Sequence, residues 1–184
     1  MSSYTEGQVH QLMERFQSEG FTSEHLTLLG QYKNLGSIKD VLEGRSKIKP
    51  IEVDLDTDPF IPEGWSVIEH KKGGKWKYDS TKVGLYLSKK QQDGGVIGGQ
   101  DLRKELESQS VMNANLLNFY LKNQRIIPSE WKGKAVFFWG TIYKSIGGGL
   151  YVRYLYWSSD SWTWNYGCFD EDWDNDDPSV VLKK

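Results

Sequence analysis

Apolar residues recur at helical spacing in the first quarter of the chain. An amphipathic helix is predicted there by residues at i, i+3, i+4 and i+7, namely Val9, Leu12, Met13 and Phe16. Thr5 and Gln8 have the spacing of a capping box at its start. A second helix is predicted near Thr22 or Ser23, and a third at Ser37. The pattern therefore predicts a small helical head over residues 1–45, followed by a proline-containing linker or extended segment over residues 46–62.

After residue 62 the apolar pattern is mostly of period two, which is typical of strands. Strands are predicted at 65–70, 75–78, 83–87, 135–143, 150–157 and 162–166, and helices at 101–107 and 113–123. The glycines at 147–149 predict a turn that joins two strands into an antiparallel hairpin, with 162–166 as the third strand of a meander. The sequence thus predicts an α+β fold, in which the helical head precedes a mainly antiparallel β domain (residues 63–184) with two inserted helices.

Charge is unevenly distributed along the 184 residues, although the net charge is only −2. Residues 1–60 carry a net −4, residues 61–133 a net +4 and residues 134–184 a net −2. Cys168 is the single cysteine, so nothing indicates an oxidising compartment. No apolar run approaches the roughly 20 residues that span a bilayer, and the first residues do not resemble a signal peptide. We expect a soluble, cytoplasmic protein without a membrane partner.

Common catalytic and metal-binding motifs are absent from the sequence, including nucleophile elbows, phosphate-binding loops and paired His or Cys ligands. The sequence therefore predicts no catalytic residue, no metal site and no cofactor. The acidic run at 170–177 matches a calcium loop at its first positions, but it lacks the turn glycine and the final glutamate. A solvated acidic loop is the simpler interpretation. A hydrolase that uses these acids beside Trp173 is a third and more distant hypothesis.

The aromatic residues are concentrated near the end of the chain, where 13 of the 37 positions from 137 to 173 are Phe, Tyr or Trp. Alternation from 162 to 166 predicts rings on one face of a strand, where Trp and Tyr combine apolar area with one polar group. The main hypothesis is a non-enzymatic binding protein whose ligand is an unknown protein or carbohydrate. Its candidate ligand-binding residues are Trp157, Asp160, Trp162, Trp164, Asn165, Tyr166 and Trp173. The alternative is that these rings fill the core of a small sheet.

A second segment interleaves cations with rings, as nucleic-acid-binding surfaces do. Its residues are Lys71, Lys72, Lys75, Trp76 and Lys77, with two more lysines at 89 and 90. This segment gives the alternative hypothesis of a nucleic-acid-associated protein. A solvated hairpin would have the same composition.

Several short stretches together resemble a protein family of uncultivated, small-genome bacteria of the candidate-phyla type, for which no activity is established. They are IPEGW (61–65), LYLSKKQ (85–91), NANLL (113–117), IPSEWKGK (127–134), FFWGTIY (137–143), YVRYLYW (151–157), DW (172–173) and DP (177–178). The resemblance covers roughly residues 58–182 and brings no functional residue with it.

The tail of the chain is similar to the variable regions that adenine-mutating retroelements diversify. Such mutagenesis of Asn-type codons yields Asn, Asp, Ser, Tyr, Gly, Cys, Phe and Thr. From 158 to 177, every residue except three tryptophans and Glu171 belongs to that set. An ordinary polar loop is the alternative, because it is rich in the same residues.

Overall fold

The computed structural model describes residues 4–183 and has the α+β architecture that the sequence predicts. The chain divides into two compact units between Lys49 and Pro50. Within residues 4–183, no helix is long and apolar enough to cross a membrane.

The first unit consists of three short helices, which are α1 (Glu6–Ser18), α2 (Ser23–Gly30) and α3 (Leu35–Leu42). The capping box predicted at Thr5 is confirmed, because its hydroxyl accepts a hydrogen bond from the Gln8 amide (3.3 Å) while the Gln8 side chain accepts one from the Thr5 amide (3.0 Å). The third helix begins two residues before the predicted Ser37. Among residues 4–49, no side chain is buried.

The second unit contains the strands and the remaining helices. Its strands are β1 (Glu52–Asp54), β2 (Ser66–His70), β3 (Lys75–Lys77), β4 (Val83–Tyr86), β5 (Ile97–Gly98), β6 (Val136–Lys144), β7 (Leu150–Ser158), β8 (Ser161–Cys168), β9 (Asp172–Trp173) and β10 (Ser179–Leu182). Its helices are α4 (Lys89–Gln92), α5 (Gly99–Leu106) and α6 (Ala114–Lys122). The segment 46–62 therefore includes one strand, β1, whose central residue Val53 is buried, as is Leu55 directly after the strand.

A six-stranded sheet organises this unit in the order β4-β10-β6-β7-β8, with β2 also paired to β6. The pairs are antiparallel except for a short parallel contact between β10 and β6. The predicted meander is confirmed as β6, β7 and β8. Two small antiparallel sheets, β1 with β3 and β5 with β9, lie outside it.

Both faces of the sheet are covered by apolar side chains. One face carries a cluster that includes α6, Phe138, Leu155 and Trp162. The other face carries a cluster with α5, Phe137, Trp139 and Trp173. Because adjacent strand residues point to opposite faces, Phe137 and Phe138 contribute to different clusters.

Asn113 joins α6 to the segments that precede and follow β2. Its side chain caps the helix by accepting from the Asn115 amide (3.1 Å), and its amide group donates to the carbonyls of Leu55 and Lys71 (both 2.8 Å). Gly140 of β6 permits the close approach, since a Cβ there would lie 2.8 Å from the Asn113 amide nitrogen.

Candidate functional site

The β7–β8 hairpin arranges the aromatic residues by its register. Residues directly opposite each other share a face, and the pairs Leu155–Trp164 and Arg153–Tyr166 are opposite each other. The two strands are joined by a turn in which Ser159 and Asp160 both have positive φ, 49° and 59°, as a two-residue hairpin turn with right-handed strand twist requires. Trp162, Trp164 and Tyr166 therefore share one face of β8, as their alternation predicts.

Five rings form a connected row on that face, which we call the aromatic face. Its members, in order along the row, are Tyr151, Trp65, Tyr166, Trp164 and Phe60. Successive ring centroids are 4.7, 4.8, 5.4 and 6.5 Å apart, with interplanar angles of 42°, 41°, 84° and 71°. Phe60 is exposed and the other four are half-buried. The row thus combines a packed base with a solvent-accessible side.

A buried cation lies beneath this row. Arg153 is only 2% exposed, and its guanidinium carbon lies 4.0 Å from the centre of the Trp164 ring. One guanidinium nitrogen donates to the Asn118 side-chain oxygen of α6 (3.0 Å). Among residues 4–183, no Asp or Glu forms an ion pair with Arg153. The ring, the amide and the nearby Tyr143 hydroxyl are therefore its neutral partners, and a buried charge without a counter-ion is costly in proteins.

Two tyrosine hydroxyls are buried close to this guanidinium. Burial raises the pKa of Tyr143, and burial together with the neighbouring Tyr143 raises the pKa of Tyr166 to about 12, although Arg153 offsets part of both shifts. The two rings are 5.4 Å apart. Because both phenols stay protonated at neutral pH, neither supplies a negative charge to Arg153.

The structure brings together only part of the predicted site. Trp164 and Tyr166 belong to the aromatic face, and Trp157 is half-buried at the same end of the hairpin as Trp162, with Lys132 Nζ 3.7 Å from its ring centre. Asp160 is exposed at the hairpin turn.

Three predicted residues do not contribute to the aromatic face. Trp162 is 6% and Trp173 is 2% exposed, in the clusters on opposite faces of the sheet. A buried ring cannot contact a ligand without a change of conformation, so we leave both out of the surface. Asn165 is exposed but pairs with Tyr154 on the opposite face of β8 from Trp164.

Four members of the arrangement were not among the sequence candidates: Phe60, Trp65, Tyr151 and Arg153. Tyr151 and Arg153 alternate in step with Leu155 and Trp157 along β7. The period of two in the sequence therefore predicts that all four side chains share one face of the strand. Trp65 contacts Tyr151 and Tyr166, which lie 86 and 101 residues further along the chain, so its place follows from tertiary packing and not from any local pattern.

The basic segment lies beside carboxylates. In the β1–β3 ladder, Lys77 is opposite Glu52 and Lys75 is opposite Asp54, while Lys71 Nζ is 3.9 Å from a Glu69 oxygen. Lys72 is exposed in the loop before β3. Trp76 packs on Tyr78 and against the core, with centroids 5.7 Å apart. These neighbours offset the lysine charges and cover part of the Trp76 ring, which is half-buried, so the case for a phosphate-binding strip is weaker.

The acidic run forms a compact turn after β9. The Asp174 side chain accepts from the Asp176 amide (2.8 Å), and the Asp177 side chain accepts from the Asp174 amide (3.1 Å). Gln91, which is buried, donates to the carbonyl oxygens of Asp174 and Asp177. Burial raises the pKa of Asp177, and the neighbouring carboxylates add to that rise. Within the described chain, no group of three or more His, Cys, Asp or Glu residues is arranged to hold a metal ion.

Comparison with known proteins does not add a relative. No family model, no curated protein sequence and no solved structure matches the chain.

Proposed function

We propose that this chain is a non-enzymatic binding protein that recognises a protein partner through the aromatic face. The observation that carries the proposal is the connected row of Trp, Tyr and Phe rings fixed above a buried arginine. Trp, Tyr and Arg are the residues that most often dominate binding energy at protein interfaces. A row of five rings with a solvent-accessible side has the composition of the central, energetically dominant part of a protein interface.

The contact between Arg153 and Trp164 supports a preorganised surface. The guanidinium stacks 4.0 Å from the ring centre and is held from behind by Asn118 of α6. Trp164 is therefore held between a cation below and the rings of Tyr166 and Phe60 beside it. A ring that is ordered before binding loses less entropy when the ligand arrives, so more of the contact energy appears as affinity.

The tilt of the rings favours a protein over a carbohydrate. A sugar stacks on a ring whose flat face is open, whereas neighbouring rings in this row are inclined by 41–84° and partly cover each other. The hairpin turn next to the row carries small polar residues, Ser158–Ser161. Rigid aromatic residues beside Ser, Asn and Gly are the composition of antibody paratopes.

We further propose that residues 158–177 are a diversified region that varies the edge of this surface. The buried residues of this stretch other than glycine are Trp162, Phe169 and Trp173, and two of these three fall outside the residue set that adenine mutagenesis yields. Most residues of the set are exposed or half-buried, so they can change without altering the core. The test is the DNA beside the gene. A near-identical repeat that differs only at adenines and lies next to a reverse-transcriptase gene is expected, and its absence would contradict this extension.

A selection with a displayed library of random peptides tests the main proposal. Peptides enriched on the full chain should bind with affinity that depends little on salt. Trp164→Ala and Tyr166→Ala should each weaken the best peptide by ~30-fold, about 2 kcal/mol. Tyr156→Ala is the matched control, because this half-buried tyrosine lies on the opposite face of β7.

Two other probes separate the alternatives. Binding to members of a glycan panel, with no enriched peptide, would contradict a protein partner and leave the aromatic face as a sugar site. Binding to single- or double-stranded nucleic acid that falls steeply with salt, and that is lost on Lys75→Glu with Lys77→Glu, would favour the basic segment instead. Equal loss of peptide binding in the Tyr156→Ala control would show that the selected surface is not the aromatic face.

A further inference from the structure

Strand β8 forms one edge of the six-stranded sheet. It pairs with β7 on one side and with no strand of residues 4–183 on the other. Natural edge strands are commonly protected by a proline, a charged side chain or a bulge. The sequence of β8, SWTWNYGC, contains no proline and no charged residue, and its eight pairs with β7 run without a register shift. Its outer edge is therefore a regular, uncharged template on which another strand can add.

The hairpin register decides which backbone groups of β8 point away from β7. In an antiparallel pair, residues that exchange hydrogen bonds with the partner strand alternate with residues whose N–H and C=O groups point outwards. The two-residue turn makes Ser158 and Ser161 a hydrogen-bonded pair. Trp162 is therefore an outward residue, and both of its backbone groups bond to the Gln124 side chain (3.2 and 3.3 Å) instead of to β7. By the same alternation the other outward residues of β8 are Trp164, Tyr166 and Cys168.

Two more outward groups are already bonded within the chain. Asn165 Oδ1 accepts from the Tyr166 N–H (2.8 Å), and the Cys168 C=O accepts from the Glu171 amide (3.2 Å). Among residues 4–183, four outward groups are left without a hydrogen-bond partner, namely the N–H and C=O of Trp164, the C=O of Tyr166 and the N–H of Cys168. We call this stretch, residues 164–168, the open edge.

The open edge is continuous with the aromatic face. Trp164 and Tyr166 contribute their rings to that face and their backbone groups to the open edge. A strand that pairs with the open edge extends the sheet, so every second side chain of that strand lies on the same face as the two rings, within reach of them. One bound segment can therefore use both features, with its backbone bonding to the edge and its alternate side chains contacting the rings.

We infer that the protein partner binds as an extended segment that adds a strand to the open edge of β8 and places alternate side chains on the aromatic face. This inference rests on the proposed function and specifies the conformation of the partner. The four open groups are two donors and two acceptors, and an extended backbone offers matching acceptors and donors at the same spacing of two residues.

A second copy of β8 matches these groups less well than a free segment does. Two copies related by a two-fold axis pair outward residue with outward residue in antiparallel register. In each such register, the bonds that form without breaking an internal one use at most two of the four open groups of each copy. The reason is that the Tyr166 N–H, the Cys168 C=O and both groups of Trp162 are already bonded. A segment whose backbone is free can satisfy all four.

The first test takes the best peptide from the displayed-library selection and methylates its backbone nitrogens one at a time. The two open carbonyls, on Trp164 and Tyr166, accept from two peptide N–H groups that lie two residues apart, whichever way the peptide runs. Methylation of either nitrogen should weaken binding to the full chain by ~10-fold, as the loss of a hydrogen bond predicts. Methylation of the nitrogen between them should change the dissociation constant by less than ~2-fold, because that N–H points away from β8.

The second test changes the protein and keeps the peptide. Asn165→Ala removes the acceptor that holds the Tyr166 N–H, so this donor becomes available to the peptide backbone. The peptide should then bind ~3–10-fold more tightly, the gain expected from one additional hydrogen bond. Asn175→Ala is the matched control, because Asn175 is also exposed but lies in the turn after β9. It should leave the affinity unchanged.

The outcomes separate this inference from the proposed function. A peptide that needs the Trp164 ring but shows no two-residue spacing in the methylation series would leave the proposed function standing and exclude strand addition. Unchanged or weaker binding to Asn165→Ala would likewise exclude it. A chain that dimerises between ~1 and ~100 μM, and whose dimer the peptide dissociates, would make a second copy the occupant of the open edge. Failure to enrich any peptide would contradict the proposed function itself.

Discussion

Arg153 offers a sharp way to separate a residue kept for function from one kept for stability. The change is Arg153→Met, which removes the charge and keeps an unbranched side chain of similar length. The buried guanidinium has a desolvation cost of several kcal/mol. Two interactions offset this cost. The stacked Trp164 ring contributes about 2 kcal/mol when desolvated, and the hydrogen bond from the charged guanidinium to Asn118 contributes about 1.5–3 kcal/mol. These contributions nearly cancel.

We therefore expect Arg153→Met to change the free energy of unfolding by less than about 1.5 kcal/mol, because Met fills most of the space and Asn118 is only half-buried, so water can satisfy its oxygen. Arg153→Ala should cost ~2–4 kcal/mol, since it leaves a cavity under Trp164. Urea denaturation followed by fluorescence measures both values. In the same Met variant, binding of a peptide selected on the wild type should fall, because Trp164 loses the group that orders its ring.

Two results would refute this reasoning. A loss of more than ~3 kcal/mol in Arg153→Met would mean that the arginine is stabilised by more than the ring and the amide, with the Tyr143 hydroxyl as the neighbour to test next. Unchanged peptide affinity in a stable Met variant would mean that the ordering of Trp164 does not contribute to binding.

Three further predictions concern stability. Trp162→Ala should cost ~3–5 kcal/mol by denaturant unfolding because the ring is buried, and a cost near zero would place the ring on the surface. Asn113→Ala removes a helix cap and the amide donor to the Lys71 and Leu55 carbonyls, of which Leu55 keeps His70 Nε2 at 3.2 Å, so it should cost ~2 kcal/mol by the same assay. Because burial raises the pKa of Asp177 above its ordinary value of 3.8, the folded state holds that proton more tightly than the unfolded state. The carboxyl therefore lowers stability as pH rises through its folded pKa. Asp177→Asn should raise the melting temperature at pH 7 but not at pH 3, whereas Asp176→Asn, at an exposed position, should have little effect at either pH.

The elements that the sequence predicted well are long and have one clear period. β6, β7 and β8 are eight or nine residues each, and a glycine-rich turn separates the first two, so the alternation and the break support each other. β10 (Ser179–Leu182) was missed because Val180, Val181 and Leu182 form an apolar run without alternation, whereas the equally short β4 alternates Val83 and Leu85 with other residues. The central place of β10 between β4 and β6 depends on pairing with residues far away.

The candidate site could be predicted only in part for a related reason. Trp162 and Trp164 have the same alternation and the same face, yet the first is buried and the second half-buried. The difference comes from what covers each residue. The Trp162 backbone exchanges hydrogen bonds with the Gln124 side chain just after α6, while Trp164 lies beside the exposed Phe60. A period of two specifies the face of a strand but not the element that packs on it.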